Sequence, residues 1–511
     1  MYGNLLTEPL IRVHTRQERS RRATLPEVLG LLAAGDEVIG FPGLAPHQVQ
    51  AWYCLLVQVA ALALIDAGQG DPSDDPGTWS ERLRGLTRAY PADEPWTLIV
   101  PDVSLPAFFQ PPVPEGNLRE YAGPILHPDS LDVLVTARNH DVKSSRAVRP
   151  DPDQWVFTLA CLQTLNGYTG RGNHGIVRMN GGYASRPMVT LVPGPGWGER
   201  FRRDVKALLV RRSEILDRHP FSCTHRLLWL EPWDGNAPIP VVEIDPYALE
   251  VCRRVRLAAE RDAIVAYRKP TQRARVAGEA LKGNVGDPWI PVRREDGAAL
   301  NVGPRGFDYR LVHEILFQSA YAPAPSQRYL PEDPEEMVLW CLALAREQGG
   351  TAGLHERWVP IPGRVRQSLL FGPQRESLAA VSRSRVEDAA TAERSILKPA
   401  LLSLAQGDPG TLDFRDRRVE AFVAEFHRAV DQVFFEALWS EWERPPQERR
   451  QRWAERLRRT ARRVLRRAER SLPVPEARRY RATARAWAIL ERGFFKHFPE
   501  LSPEPSEEVA P

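Results

Sequence analysis

Cysteine is scarce and unordered in this chain. Its five cysteines, Cys54, Cys161, Cys223, Cys252 and Cys341, are an odd number, widely spread, and include no C-x-x-C pair, which excludes a disulfide framework. Long apolar runs are lacking too. The most apolar stretch, 51–65, is interrupted by Gln58 and falls short of the roughly 20 residues a bilayer span needs, so no membrane anchor is expected. No basic region followed by an apolar run opens the chain, so no secretory signal is read and the cytoplasm is the expected compartment. Lysine is nearly missing: of 69 basic residues six are lysine, leaving 63 arginines. Arginine suits bidentate phosphate and base contacts, but GC-rich coding yields the same bias. The net charge is only +4, so no strongly basic or acidic partner follows from the total.

What is present is an ordinary globular composition, 43% hydrophobic and 26% charged over 511 residues, enough for more than one core. The expected fold class is α+β: a large irregular mixed domain over 1–375, a four-helix bundle over 376–500, and a disordered tail over 501–511. In the first two hundred residues short apolar runs alternate with Gly, Pro and Asp, and long helices are few. The stretch 47–67 reads as a buried helix; 96–100, 131–136, 337–345 and 356–361 read as strands. From about 376 glycine and proline thin out. Apolar residues at helical spacing, Val419, Phe422, Val423, Phe426, Val430, Val433, Phe434, Leu438 and Trp442, mark a helix over 414–442. Others are expected at 386–404, 448–471 and 476–498, and short breaks make the four antiparallel neighbours.

Several segments carry possible chemistry. The densest glycine run is 166–175, with Gly170, Arg171, Gly172, Asn173, His174 and Gly175 followed by Arg178. It contains a loose G-x-G-x-x-G, but no long helix pattern opens after it, which excludes a dinucleotide fingerprint. Two readings stay open: ordinary turns, or a loop whose backbone and small side chains meet base edges or sugars in a narrow groove. Gln348 and Gly349 lie in a glycine-rich loop between two strands, either a plain turn or a wedge for a base stack, since an amide can replace lost hydrogen bonds.

Arg138, Asn139, His140, Asp141 and Lys143 form either a polar loop that grips phosphates or the His/Asp pair of a metal nuclease. A nuclease needs several convergent ligands, and no matching motif stands elsewhere. His219, Cys223 and His225 look like half a zinc site without its second half. The stretch 449–470 holds 11 arginines against Glu455 and Glu469 while Trp453, Leu457, Val464 and Leu465 keep an apolar side. It is a solvated face or a phosphate-contacting one, with Arg456, Arg459, Arg463 and Arg466 as the candidates.

The order and spacing of five segments resemble the large subunit family, CasA, of the type I-E CRISPR surveillance complex Cascade. They are 4–11 (NLLTEPLI), 131–143, the glycine loop ending RMNGG at 178–182, GDPW at 286–289, and QGGT at 348–351 followed by HER at 355–357. The resemblance covers essentially the whole chain. It implies a non-catalytic subunit that recognises the short flanking motif (PAM) of duplex DNA while guide RNA reads the target, as RNA-guided recognition divides the labour, and no cofactor or metal is expected. By resemblance the loop 170–175 approaches the PAM from the minor groove, and Gln348 with Gly349 inserts beneath it. One mid-chain basic residue, Arg273, Arg275 or Lys282, reaches the same groove, and Arg138, Asn139, His140 and Lys143 hold the guide RNA handle. Implied partners are guide RNA, duplex target DNA, the backbone, small and handle-binding Cascade subunits, and a helicase-nuclease. The rival expectation is a metal-dependent DNA nuclease using His140 and Asp141.

Overall fold

In a computed structural model of the chain, the structure describes residues 2–35, 37–132, 150–181, 184–261, 263–347, 350–366, 374–408, 410–474 and 476–501. The chain divides into two compact units, Met1–Phe307 with Ala320–Ile361, and Asp308–Ser319 with the chain from Pro362 onward. The division falls upstream of the composition change at 376. The short segment Asp308–Ser319 joins the helical unit although no change of composition marks it.

The first unit is built around the helix Val49–Ala67, in which every residue from Gln50 to Leu64 is buried. Its two buried glutamines are hydrogen-bonded. Gln50 Nε2 donates to the Arg186 carbonyl at 2.5 Å, and Gln58 Nε2 to the Tyr247 carbonyl at 3.0 Å. By length and composition this helix is long and apolar enough to cross a membrane, but protein covers it on all sides. Gly68, at φ 64°, ends it in the left-handed conformation that glycine adopts without strain.

Around this helix stand Leu25–Ala34, Pro76–Leu86, Pro152–Thr164 and Trp197–Arg218. Their starts are written in the sequence: Thr24 and Glu27 form a capping box, and Asp75 accepts from the amides of Gly77 and Thr78. Long helices are few in the first two hundred residues, as expected, Val49–Ala67 being the long one among the described residues, but shorter helices are more numerous than the sequence suggests. Leu25–Ala34 and Pro152–Thr164 are buried on more than one face, which blurs the one-sided stripe by which a helix is recognised.

A three-stranded antiparallel sheet runs in the order Gly350–Ile361, Met337–Glu347, Met188–Val192. Trp340 and Trp358 stack across the first pair, and Glu356 Oε1 accepts from both indole N–H groups at 3.0 Å. A second three-stranded sheet holds Arg254–Glu260, Ala263–Lys269 and Ala122–Ile125. Of the expected strand at 96–100, Thr97–Ile99 forms and pairs with Tyr2–Asn4. The strand expected from 131 does not begin there, because Leu131 and Asp132 lie in a turn that closes on Pro128.

The second unit is the expected bundle. Its helices are Arg375–Thr391, continued through Ala392–Leu397 and Lys398–Ala405, then Glu420–Ser440, Pro446–Ser471 and Glu476–His497. The widened π turn at Ala392–Leu397 sits just ahead of Pro399, which lacks the N–H that would continue the ordinary ladder. Val423, Phe426, Val430, Phe434 and Leu438 are buried as their spacing predicts. Between the helices Arg385 and Glu441 form a buried ion pair at 2.6 Å.

Candidate nucleic-acid interface

The glycine run forms a self-bonded loop. Gly167 N–H donates to the Ala184 carbonyl (3.0 Å), Ile176 N–H to Asn166 (3.0 Å), Asn173 N–H to Gly170 (2.9 Å) and Thr169 N–H to Asn173 (3.0 Å). A Cβ at Gly175 would lie 2.6 Å from the Gly167 carbonyl carbon, and one at Gly172 2.8 Å from Pro270 Cβ, so packing requires both glycines. Gly170 differs: at φ 121° with nothing within 4 Å of its missing Cβ, it faces open space. Arg171 and Asn173 beside it are exposed, while Tyr168 is 37% exposed with its ring 6.1 Å from His174.

Two residues that the sequence did not single out hold this loop. Arg253 sends its guanidinium under it, to the His174 carbonyl, to the Gly167 carbonyl at 3.4 Å and to Thr169 Oγ1 at 3.2 Å. Thr271 donates its N–H to the Gly172 carbonyl at 3.0 Å and meets His174 Nδ1 through its hydroxyl at 2.9 Å. Burial, and after it the Arg253 charge, push the His174 imidazole below its usual range, which favours the neutral ring.

The hairpin expected to carry the wedge is in place beside this loop. Its strands end at Glu347 and resume at Gly350, which pair with each other; Gln348 and Gly349 themselves lie outside the described residues. Arg346, next to that end, donates from Nη1 to Asn166 Oδ1 at 2.9 Å and so ties the hairpin to the first residue of the glycine loop. Loop and hairpin together border a cavity of about 480 Å³ lined by Arg253, Arg254, Arg268, Lys269 and Arg346 against the single acid Asp132. Arg254 and Lys269 are engaged with Glu115; no carboxylate pairs with Arg253, Arg268 or Arg346 among the described residues. Arg253 and Arg346 are given to the loop and the hairpin, and the exposed Arg268 is the guanidinium best placed for phosphate.

The three mid-chain candidates separate. Arg275 is buried at 3% exposure, gives its N–H groups to the carbonyls of Pro232, Leu228 and Glu231, and lies over the Trp233 ring, so its part is structural. That corrects its place among groove contacts. Lys282 is exposed and 3.7 Å from Asp296. Arg273 is exposed two residues from Thr271, its N–H held by the Gly235 carbonyl at 3.1 Å, hence beside the glycine loop. Arg178, which follows the glycine run, is structural too: at 2% exposure it pairs with Glu250 at 2.9 Å and Asp287 at 3.4 Å inside the core.

Arg138, Asn139, His140, Asp141 and Lys143 lie outside the described residues. His225 pairs with Glu231 and Glu243, and Cys223 accepts from Arg212, so the half zinc site is not a ligand set. On the basic helix Arg456 is engaged with Glu441 at 3.0 Å while its side chain stays partly exposed. Arg459, Arg463 and Arg466 are exposed and have no carboxylate partner among the described residues.

No protein-family model matches the chain, and no curated protein matches it. Solved structures do, over nearly the whole length. A structure of Thermus thermophilus CasA (Cse1) is 17% identical with a TM-score of 0.63, covering 98% of this chain and 100% of that one. Thermobifida fusca Cse1 is 14% identical with a TM-score of 0.64 and 98% of each chain covered. A chain of a CRISPR RNA-guided surveillance complex is 11% identical with a TM-score of 0.56, covering 96% of this chain and 99% of that one. The chain therefore has the CasA (Cse1) fold over nearly its whole length.

Proposed function

We propose that this chain, built on the CasA fold, is the large non-catalytic subunit of a cytoplasmic RNA-guided DNA surveillance complex of the Cascade type. The observation that carries the reading is the juxtaposition, on one cavity, of the glycine loop, the base of the 348–349 hairpin and arginines that have no carboxylate partner among the described residues. Phosphate contacts to the arginines position duplex DNA without reading sequence. Gly170 lets backbone approach the minor groove, whose degenerate pattern allows several PAMs. Arg273 is the basic residue that reaches the same groove. Its guanidinium is broader and more fork-like than a lysine ammonium, which gives it a different preference among flanks.

Gln348 with Gly349 then enters the stack below the PAM. The wedge need supply only a few kcal/mol, because exchanging DNA pairs for RNA–DNA pairs is nearly balanced. Residues 138–143 hold the guide RNA handle, and the bundle faces the small subunits and the displaced strand. The assembled complex recruits a helicase-nuclease.

The test is binding of the complex, reconstituted with guide RNA and with or without this chain, to duplexes carrying randomised flanks at fixed salt. Selection of a short flank only with the chain present supports PAM reading; flank-independent binding in both cases refutes it. Gln348→Ala slows strand opening more than it weakens PAM-duplex binding, and equal losses, or none, remove the wedge. Magnesium- or manganese-dependent cutting that His140→Ala abolishes replaces the whole reading with a nuclease.

A further inference from the structure

Three side chains from distant parts of the sequence converge in the first unit. His47 comes from the 3-10 turn Pro46–Gln48 that leads into the central helix, Asp132 follows the turn Pro128–Ser130, and Cys161 comes from the helix Pro152–Thr164. All three are buried, and their ligand atoms lie within 4.8 Å of one another. His47 Nε2 is 2.9 Å from Asp132 Oδ2 yet in a direction that makes no hydrogen bond, so a buried ring nitrogen is aimed into the cluster without a hydrogen-bond partner. Gln48 Nε2 donates to Asp132 Oδ2 at 2.5 Å and to Thr158 Oγ1 at 3.2 Å, which fixes the carboxylate from outside. Ligating carboxylates are commonly oriented by such a neighbour.

We propose that His47, Asp132 and Cys161 form a three-ligand site for one divalent transition-metal ion of the zinc class. The donor set decides the class: one sulfur, one imidazole nitrogen and one carboxylate oxygen suit borderline Zn²⁺ and disfavour Mg²⁺ or Ca²⁺, which take oxygen ligands. Bonds of about 2.0–2.3 Å place tetrahedral ligand atoms roughly 3.3–3.8 Å apart, so the present cluster closes on an ion with small side-chain rotations. A dication held by one thiolate and one carboxylate carries no net charge, which removes the main cost of burying it. Asp132 also lines the 480 Å³ cavity, which gives an ion its way in and leaves a fourth position to water.

The site is independent of the PAM reading and is tested on the full chain. Protein produced in zinc-supplemented medium is assayed for metal per chain, and Co²⁺ is titrated into the metal-free protein. The expected result is one ion per chain and a thiolate-to-cobalt charge-transfer band with the d–d bands of a four-coordinate site. Cys161→Ser removes the charge-transfer band, Cys252→Ser and Cys341→Ser keep it, and Gln48→Leu weakens binding by about 10–100-fold. Absence of stoichiometric metal from the wild-type protein together with absence of the band overturns the proposal, whether or not Cys161→Ser folds. So does a band that survives Cys161→Ser, or a His47→Gln variant that binds Co²⁺ as tightly as wild type.

Discussion

Arg253→Met isolates the support of the glycine loop from everything else the loop does. Methionine keeps the apolar stem of this residue, 8% exposed, and removes the guanidinium, which donates to the carbonyls of Cys252, His174 and Gly167 and to Thr169 Oγ1. A hydrogen bond from a charged donor is worth about 1.5–3 kcal/mol, and an acceptor left buried without one costs about 1–3 kcal/mol. The bordering cavity admits water to part of the site, so the net local loss is about 2 kcal/mol, less than the sum of the bonds. That opens the loop about 30-fold more often, read by hydrogen exchange as about 30-fold faster exchange of the amides it protects, those of Gly167, Thr169, Asn173, Ile176 and Thr271. Amides of the central helix Val49–Ala67 keep their rates, because the opening is local. Flank-selective duplex binding falls with the loop while flank-independent binding to phosphate is largely kept. Unchanged exchange at those five amides refutes the assignment of Arg253 as the loop's anchor; a uniform acceleration through the unit shows instead that the residue carries global stability.

Three further outcomes are expected. Burial holds the Asp388 carboxyl up at about 6, with Glu500 and Glu387 adding to the rise. The folded state thus binds this proton more tightly than the unfolded chain, so the contribution is full below about pH 4, is lost as pH rises through 6, and is flat above; Asp388→Asn raises the Tm at pH 7.5 relative to wild type, with the gain fading toward pH 4. Glu441→Ala leaves Arg385 buried with no counter-charge and costs about 3–5 kcal/mol, seen as a lower urea midpoint, whereas the double variant Arg385→Met/Glu441→Leu recovers most of it. Replacing Arg459, Arg463 and Arg466 together by glutamine changes stability by less than about 0.5 kcal/mol per site. The same variant lowers the slope of log affinity for single-stranded DNA against log salt by about 2, and an unchanged slope ends their role as phosphate contacts.

The bundle was legible because its helices bury one face each. Val423, Phe426, Val430, Phe434 and Leu438 return every three or four residues, and the pattern survives in a sequence read without any structure. The first unit offers no such regularity. Its central helix is buried all round, its strands are short apart from the pair Met337–Glu347 and Gly350–Ile361, and the order of its elements leaves no periodic trace. What the sequence did show there was a set of short segments in a particular order, and the structure explains why those segments are so narrowly composed. Asn4 Oδ1 accepts from the Leu6 amide, and Asn4 and Glu8 close the turn on each other. Arg178 meets Asp287, Trp289 Nε1 donates to Asp204, and Glu356 accepts from two tryptophans. Each is a polar group with a specified partner, those of Arg178, Asp287, Trp289 and Asp204 buried, where a change at either end leaves the other unsatisfied.

That same logic separates what the segments announce from what they do. A buried ion pair such as Arg178–Glu250 stamps the sequence strongly, yet it touches no ligand; an exposed Arg171 or Arg273 leaves no local mark among 63 arginines. Arg253 and Arg346 were missed for this reason, since what distinguishes them is a position under the loop and beside the hairpin that only the fold supplies. His47, Asp132 and Cys161 are the extreme case. No spacing rule for metal ligands joins residues 85 and 29 positions apart, because such rules describe ligands carried on one turn or one helix, whereas these meet through the packing of three separate elements. A site assembled by tertiary structure is invisible to any motif, so its chemistry has to be read from converging donor atoms, and the cobalt spectrum of the intact chain reads those atoms directly.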